Sequence, residues 1–396
     1  MKNKLFATLS IVLCTLILLS ACGPAATPTP AAQISTPVPP TAVPSTAVPP
    51  TSVPPTAVPT AVPTCLIVGA LYGGPMNDAG YNQAMHESMV AMAQNIPCVK
   101  LIEAENVPDE AGAKTTMQNM INEGAKLIFA TASTHQNPMV DLAKANPGVT
   151  FENAGGWLMG DNYANYYADV PNSWYAMGVA AASMTQSNKL GFVASFPIGW
   201  TVTFVNSFEL GAKSINPSIT TTVAFSFAWG DHAKEADATN SLINQGIDVI
   251  TMHVDSPSTV ISTAESRGVY SIGFQDLAAQ QFAPQYWITG TGFTLGGTVT
   301  FLTQSVIDKT WKSIFLRCKM SEGCMALAPF GPKVTQTVQD KVKQTLADLD
   351  SGKIVVFKGP LTDQNGNIKV ADGSTLSEND MGSLDWFVPG VIGSPK

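Results

Sequence analysis

The chain has 396 residues, of which 45% are hydrophobic and 13% charged, and carries a formal net charge of −8. That length holds a targeting segment and two domains of ordinary size. An acidic balance without a basic block argues against nucleic acid and against broad contact with an anionic bilayer.

At the start, Lys2 and Lys4 precede an apolar run from Leu5 to Leu19, followed by Leu19-Ser20-Ala21-Cys22. A positive n-region, a short h-region and a small-residue cleavage site read as a lipoprotein signal peptide over residues 1–21. Cys22 is then expected to be acylated and to become the mature N-terminus, the acyl chains being the sole membrane anchor. Processing leaves 19 basic residues against 29 acidic ones, a net charge of −10. From Thr27 to Thr64 the chain repeats units such as Thr-Ala-Val-Pro-Pro. Proline at that density fixes φ and removes backbone donors, so a polyproline II stalk is expected from Thr27 to Thr64, within a lipidated-Cys and Pro/Thr-rich linker of residues 22–64.

From Cys65 onward, short apolar strands alternate with amphipathic helices. Strand Cys65–Tyr72 runs into the turn Gly73–Gly80, and a helix follows from Tyr81 with Met85, Met89, Met92 and Ile96 on one stripe. Strand Cys98–Ile102, a helix bearing Ala113, Met117, Met120 and Ile121, strand Lys126–Thr131, a helix ending near Asn146 and strand Val149–Asn153 come next. A second series begins with strand Lys189–Ser195 and a helix near Val202–Ile215. It continues through strand Ile219–Phe225, a helix opened by Asp231, strand Asp248–His253, a helix near Ser258–Arg267 and strand Val269–Phe274. Helices near Thr294–Lys309 and Thr335–Asp350 follow. Asp363-Gln364-Asn365-Gly366-Asn367 reads as a hairpin turn, since the distal Glu of a calcium loop is missing.

The two series share one plan. Ile121-Asn122-Glu123-Gly124-Ala125-Lys126-Leu127-Ile128 is nearly copied by Ile243-Asn244-Gln245-Gly246-Ile247-Asp248-Val249-Ile250, an offset of 122. Leu66–Ala70 is echoed by Leu190–Ala194, Tyr72 by Phe196 and Asn82 by Asn206. Alternation of this kind predicts an α/β fold of two doubly wound parallel-sheet lobes around a cleft. Cys65 and Cys98 open strands made parallel neighbours by the helix between them, and Cys318 and Cys324 flank a short loop. Both pairs are expected as disulfides of an exported protein. No cofactor is expected, and no metal either, since zinc would show tighter cysteine spacing.

Ligands bind at the carboxyl ends of strands in such sheets, which selects the candidate residues. Tyr72 and Phe196 are expected to face each other across the cleft and stack on a flat ligand. Asp78, Tyr81, Asn82 and Ser133 supply polar groups from the first lobe, and Asn206, His253, Asp255, Ser256 and Asp276 from the second. Trp157 and Trp229 are candidate walls, and Phe293 is a second stacking candidate. The histidines at 86, 135, 232 and 253 are scattered, with no Gly-x-Ser-x-Gly, His-Glu-x-x-His or P-loop, so an enzyme is not expected.

From about Cys65 to Lys396 the sequence resembles the basic membrane protein family of ABC-transporter substrate-binding lipoproteins, which includes purine and purine-nucleoside receptors. The likeness rests on the turn from Gly74 to Tyr81, Ala194-Ser195-Phe196-Pro197, Asn206-Ser207-Phe208 and His253–Pro257. Leu327–Pro332 and Asp385-Trp386-Phe387-Val388 extend it. It implies a type I periplasmic-binding-protein fold with two Rossmann-like lobes, a hinge of three crossings and a cleft that closes on ligand. The lobes would comprise residues 65–170 with roughly 292–335, and 171–291 with roughly 336–396. The implied function is an extracytoplasmic, membrane-anchored receptor, a monomer handing a purine base or nucleoside to an ABC permease. A receptor for a sugar or other small solute, or a ligand-sensing signalling lipoprotein, is the alternative. The chain departs from the family pattern at Val170–Trp174 and at Gly273-Phe274-Gln275-Asp276, which bears on base against nucleoside.

Overall fold

A computed structural model describes residues 65–396; Cys22 and the proline-rich stretch lie outside the described residues. The first series forms β1 (Leu66–Leu71), α1 (Tyr81–Asn95), β2 (Val99–Ala104), α2 (Glu110–Asn122), β3 (Leu127–Ala130), α3 (Gln136–Ala145), β4 (Thr150–Ala154) and β5 (Tyr163–Ala168). Then come α4 (Val170–Met184), β6 (Lys189–Ala194), α5 (Gly199–Ile215), β7 (Thr220–Phe225), α6 (His232–Asn244), β8 (Val249–His253), α7 (Ser258–Ser266), β9 (Tyr270–Gln275) and β10 (Trp287–Phe293). The last part holds α8 (Gly296–Ile307), β11 (Phe315–Cys318), β12 (Met325–Leu327), α9 (Gln336–Asp350), β13 (Leu361–Thr362), β14 (Ile368–Val370), α10 (Glu378–Gly382) and β15 (Val391–Ile392).

Two sheets result. The first has the order β11-β5-β4-β3-β1-β2, the second β12-β10-β9-β8-β6-β7-β15. All pairs in both are parallel except β10 with β12. The duplication is structural. Asp109 and Asp231 cap α2 and α6 by accepting from the N–H of Gly112 and Lys234, satisfying donors the first helical turn leaves open. Gly124 and Gly246 end those helices at φ +98° and +82°, a region that costs residues with a Cβ.

The chain passes between the sheets three times. After β5 it enters α4, which packs on α5 and β10 of the second sheet; after β10 it enters α8, which packs on α1. The third passage runs from Cys318 in the first sheet to Met325 in the second. It falls earlier than a boundary near 335 because β12 pairs with β10. Disulfides join Cys65 to Cys98 and Cys318 to Cys324, with Cα atoms 5.2 and 5.8 Å apart. One ties the first residues beside β1 and β2; the other closes the third passage.

The β5–α4 segment has no counterpart in the sequence reading. Helix α4 is buried nearly all round, so it lacks the polar face that marks an amphipathic helix. Pro171 sits in its first turn, where no N–H is needed. Gly178 and Gly211 face the carbonyls of Phe208 and Tyr175, leaving no room for a Cβ between α4 and α5. The turn after β13 is the expected hairpin: Gly366 has φ +82° and Asp363 accepts from the N–H of Asn365 and Asn367.

Candidate functional site

The loops after β1, β3 and β4 of one sheet and after β6, β7, β8 and β9 of the other open onto a shared cavity of about 600 Å³. From the first sheet come Tyr81, Asn82, Ser133, Trp157 and Tyr167, with Phe315 and Arg317 on β11. From the second come Trp200, Phe204, Trp229, His253, Asp255 and Gln275, and α10 adds Glu378 and Asn379. Seven aromatic side chains thus form broad apolar walls, with amide, hydroxyl and charged groups set between them.

Charge is nearly cancelled inside. The Arg317 guanidinium lies 4.5, 5.0 and 5.7 Å from the ring centres of Phe315, Trp200 and Tyr167. Its Nε donates to Glu378 Oε2 at 3.1 Å, so cation and anion pair. Nδ1 of His253 lies 3.1 Å from Thr201 Oγ1, and burial pulls this imidazole down to about 3, leaving it neutral. Burial pushes the Asp255 carboxyl up to about 8, and the neighbouring Asp78 and Glu235 carboxyls push the same way. Across the cleft, the Tyr81 N–H donates to the Asp255 backbone oxygen at 3.3 Å, at a point where Gly80 approaches Asp255 and Pro257.

Of the residues expected from the sequence, Tyr81, Asn82, Ser133, Trp157, Trp229, His253 and Asp255 line this cavity. The Tyr81 hydroxyl is held by Thr131 O at 2.6 Å, and Asn82 Oδ1 accepts from the Gly74 N–H at 3.0 Å.

The Tyr72–Phe196 clamp is a correction. Tyr72 is fully buried; its hydroxyl donates to Glu103 Oε1 at 2.6 Å and its ring meets His86 edge-on. Phe196 is half-buried and packs on Trp229, centroids 5.6 Å apart, instead of lining the cavity. Strand register gives the reason. Val68 pairs with Leu127 and Leu190 with Val249, both at the offset of 122. Tyr72 therefore corresponds to Ala194, and Phe196 to Gly74. The sequence echo at 124 slides by two residues.

Five more expected residues stand elsewhere. Asp78 caps α1, accepting from the N–H of Gly80, Asn82 and Gln83 and from Asn82 Nδ2. Asn206 is buried against the C-terminal segment, donating to Trp386 O and accepting from the Val388 N–H, each at 3.0 Å. Asp276 accepts from the Ala278 N–H at the head of a short 3₁₀ turn. Phe293 packs on Tyr81 and Tyr167, centroids 5.9 and 5.3 Å away, outside the lining. Ser256 lies against Gly230, off the cavity.

Tyr167, Trp200, Phe204, Gln275, Phe315, Arg317 and α10 were not anticipated. Gln275 carried a signal that only backbone geometry reveals. It holds φ +81° at the end of β9, a region that costs a residue with a side chain, and its Oε1 has no hydrogen-bond partner. Strain of that kind collects at functional sites.

Two doubly wound lobes, three passages and a cleft at the strand ends define a two-lobed solute receptor. The chain belongs to the family described as ABC transporter substrate-binding protein PnrA-like, whose pattern matches residues 66–361. A purine-binding protein of Brucella abortus is 34% identical over 330 residues, covering 82% of this chain and 93% of that one. A protein of Haloferax volcanii named as an ABC transporter glucose-binding protein is 27% identical over 296 residues, covering 73% of each. Among solved structures, an ABC transporter solute-binding protein of Conexibacter woesei has a TM-score of 0.63 at 18% identity, covering 73% of this chain and 98% of that one. That likeness concerns the fold.

Proposed function

We propose that this chain is the extracytoplasmic receptor of an ABC importer, that it takes up a purine base or nucleoside between its lobes, and that it hands the solute on chemically unchanged to the permease. The observation that carries this reading is the cavity of about 600 Å³, walled by Tyr81, Trp157, Tyr167, Trp200, Phe204, Trp229 and Phe315. Such walls suit the flat faces of a heterocycle, and the near cancellation of charge suits an uncharged one. The Brucella relative named for purine binding supports the same choice.

Calorimetry against adenine, guanine, adenosine, guanosine, inosine, ribose, glucose and common amino acids tests it. Heat with at least one purine is expected. Heat with ribose, glucose or an amino acid alone would replace the purine by that solute and keep the receptor. Trp229→Ala should weaken purine binding by about 1–3 kcal/mol, roughly 5- to 150-fold. An unchanged affinity would remove Trp229 from the walls.

The membrane attachment rests on the sequence around Cys22. A diacylated Cys22 at the head of a proline-rich spacer would hold a monomeric receptor near its permease. Cys22→Ala should leave the protein in the soluble fraction or as an unprocessed precursor. A processed mutant still partitioning into detergent would overturn the anchor.

A further inference from the structure

We propose that Asp255 meets the ligand as an acid, its carboxyl O–H donating to an unprotonated ring nitrogen or carbonyl oxygen of the heterocycle. This deepens the receptor reading above and rests on it. The backbone of Asp255 is fixed on both sides: its N–H donates to Trp229 O at 2.7 Å, and its own carbonyl oxygen accepts from the Tyr81 N–H across the cleft. The side chain is thereby held in the cavity wall. Among the described residues no cation lies within ion-pair distance of it.

The surrounding groups are acidic or neutral on every side. Asp78 faces it from the head of α1, Glu235 from α6, and the Gln275 amide from β9. Tyr81 and Tyr167, on α1 and β5, stand near enough to feel its charge. His253, two residues earlier, is neutral. Arg317 is engaged by Glu378 and by Ala168 O. Of the carboxyls that converge here, Asp78 accepts three backbone N–H bonds and one amide bond, so a negative charge is held best there. Glu235 already accepts from the Asp231 N–H. A second charge at Asp255 would sit buried beside Asp78 with only the Gln275 amide to offset it. Burial and those two neighbours accordingly raise this group to about 8.

The ligand class follows. It is a neutral heterocycle presenting an acceptor to Asp255, and deprotonation of the carboxyl turns a donor into a charge facing a lone pair. Adenosine, which has no group titrating near neutral pH, is the probe. Its affinity for the wild type should be flat from pH 6 to about pH 7.5, then fall about tenfold per unit above about pH 8. Asp255→Asn keeps an N–H donor and cannot titrate, so its affinity should lie within about fivefold of wild type at pH 7 and stay flat. Asp255→Ala should lose at least about tenfold at every pH. An affinity that rises with pH, or an Asn variant as impaired as Ala, would mean a carboxylate acceptor and overturn the inference. Infrared difference spectra of wild type against Asp255→Asn at pH 7 give a readout without ligand. A protonated-carboxyl band lost in the variant supports the acid, and its absence sinks it. If no purine binds while that band is present, the purine reading fails and the protonated Asp255 stands.

Discussion

Gly80→Ala should abolish most of the ligand affinity, by on the order of 100-fold, while leaving each lobe folded. A Cβ at residue 80 would overlap the carbonyl oxygen of Asp255 and crowd the Pro257 ring, both on the opposite lobe. The first is main chain between β8 and α7, which cannot swing aside as a long side chain can. The lobes must therefore stand further apart, the Tyr81 N–H loses Asp255 O, and the groups from the two sheets no longer converge on one solute. Apparent affinity scales with the fraction of molecules able to close, so a hundredfold loss of the closed state is a hundredfold loss of affinity. Residue 80 belongs to none of the hydrophobic core clusters, and the melting temperature should move by only a few degrees. Calorimetry with the wild-type solute, and small-angle scattering that finds the variant open with solute present, check the claim. A closed variant of unchanged affinity would show that the Gly80–Asp255 contact does not control closure.

Stability should rise as pH falls from 8 to 5, opposite to the trend for a protein held by carboxylate ion pairs. Glu152 is 1% exposed, its Oε1 accepting from Trp311 Nε1 at 2.7 Å and its Oε2 lacking a partner. Burial lifts it to about 8, as it does Asp255, while Glu209 and Glu235 reach about 7 and Asp276 about 6. Each folded value lies above that of the unfolded chain, near 4. Between the two values the folded protein holds protons that the unfolded chain has released, so stability is lost as pH climbs through this window. Asp231, Asp348, Asp363 and Asp380, each accepting local hydrogen bonds, shift downward and matter only below about pH 4. Buried, neutral His253 and His135 act the other way below about pH 6.5, so the net loss should be steepest near pH 6.5–7 and ease toward pH 8. Glu152→Gln should remove part of it and be more stable than wild type at pH 8 by about 1–3 kcal/mol. Urea unfolding at unit steps of pH measures both. A midpoint that is flat or rises toward pH 8 would show these acids to be ionised or solvated in the folded state.

Local chemistry made much of this molecule readable from its residues. Gly124 and Gly246 end their helices because only a residue without Cβ turns easily to positive φ. Asp231 opens α6 through a hydrogen bond to its own neighbours, and the 122-residue copy follows from units that each form by short-range periodicity. The Cys65–Cys98 pair was legible for a similar reason, since strands joined by one helix lie side by side. Tertiary structure decided the rest. A slip of two residues leaves every side chain on the same face of a strand, so only the hydrogen-bonded register between β1 and β3, and between β6 and β8, could show that Tyr72 and Phe196 are not counterparts. Asn206 is bound to a segment 180 residues away, and Arg317 reaches the cavity because β11 returns to the edge of the first sheet. Whether a polar side chain meets a ligand or a backbone depends on partners remote in sequence, and composition and spacing do not carry that information.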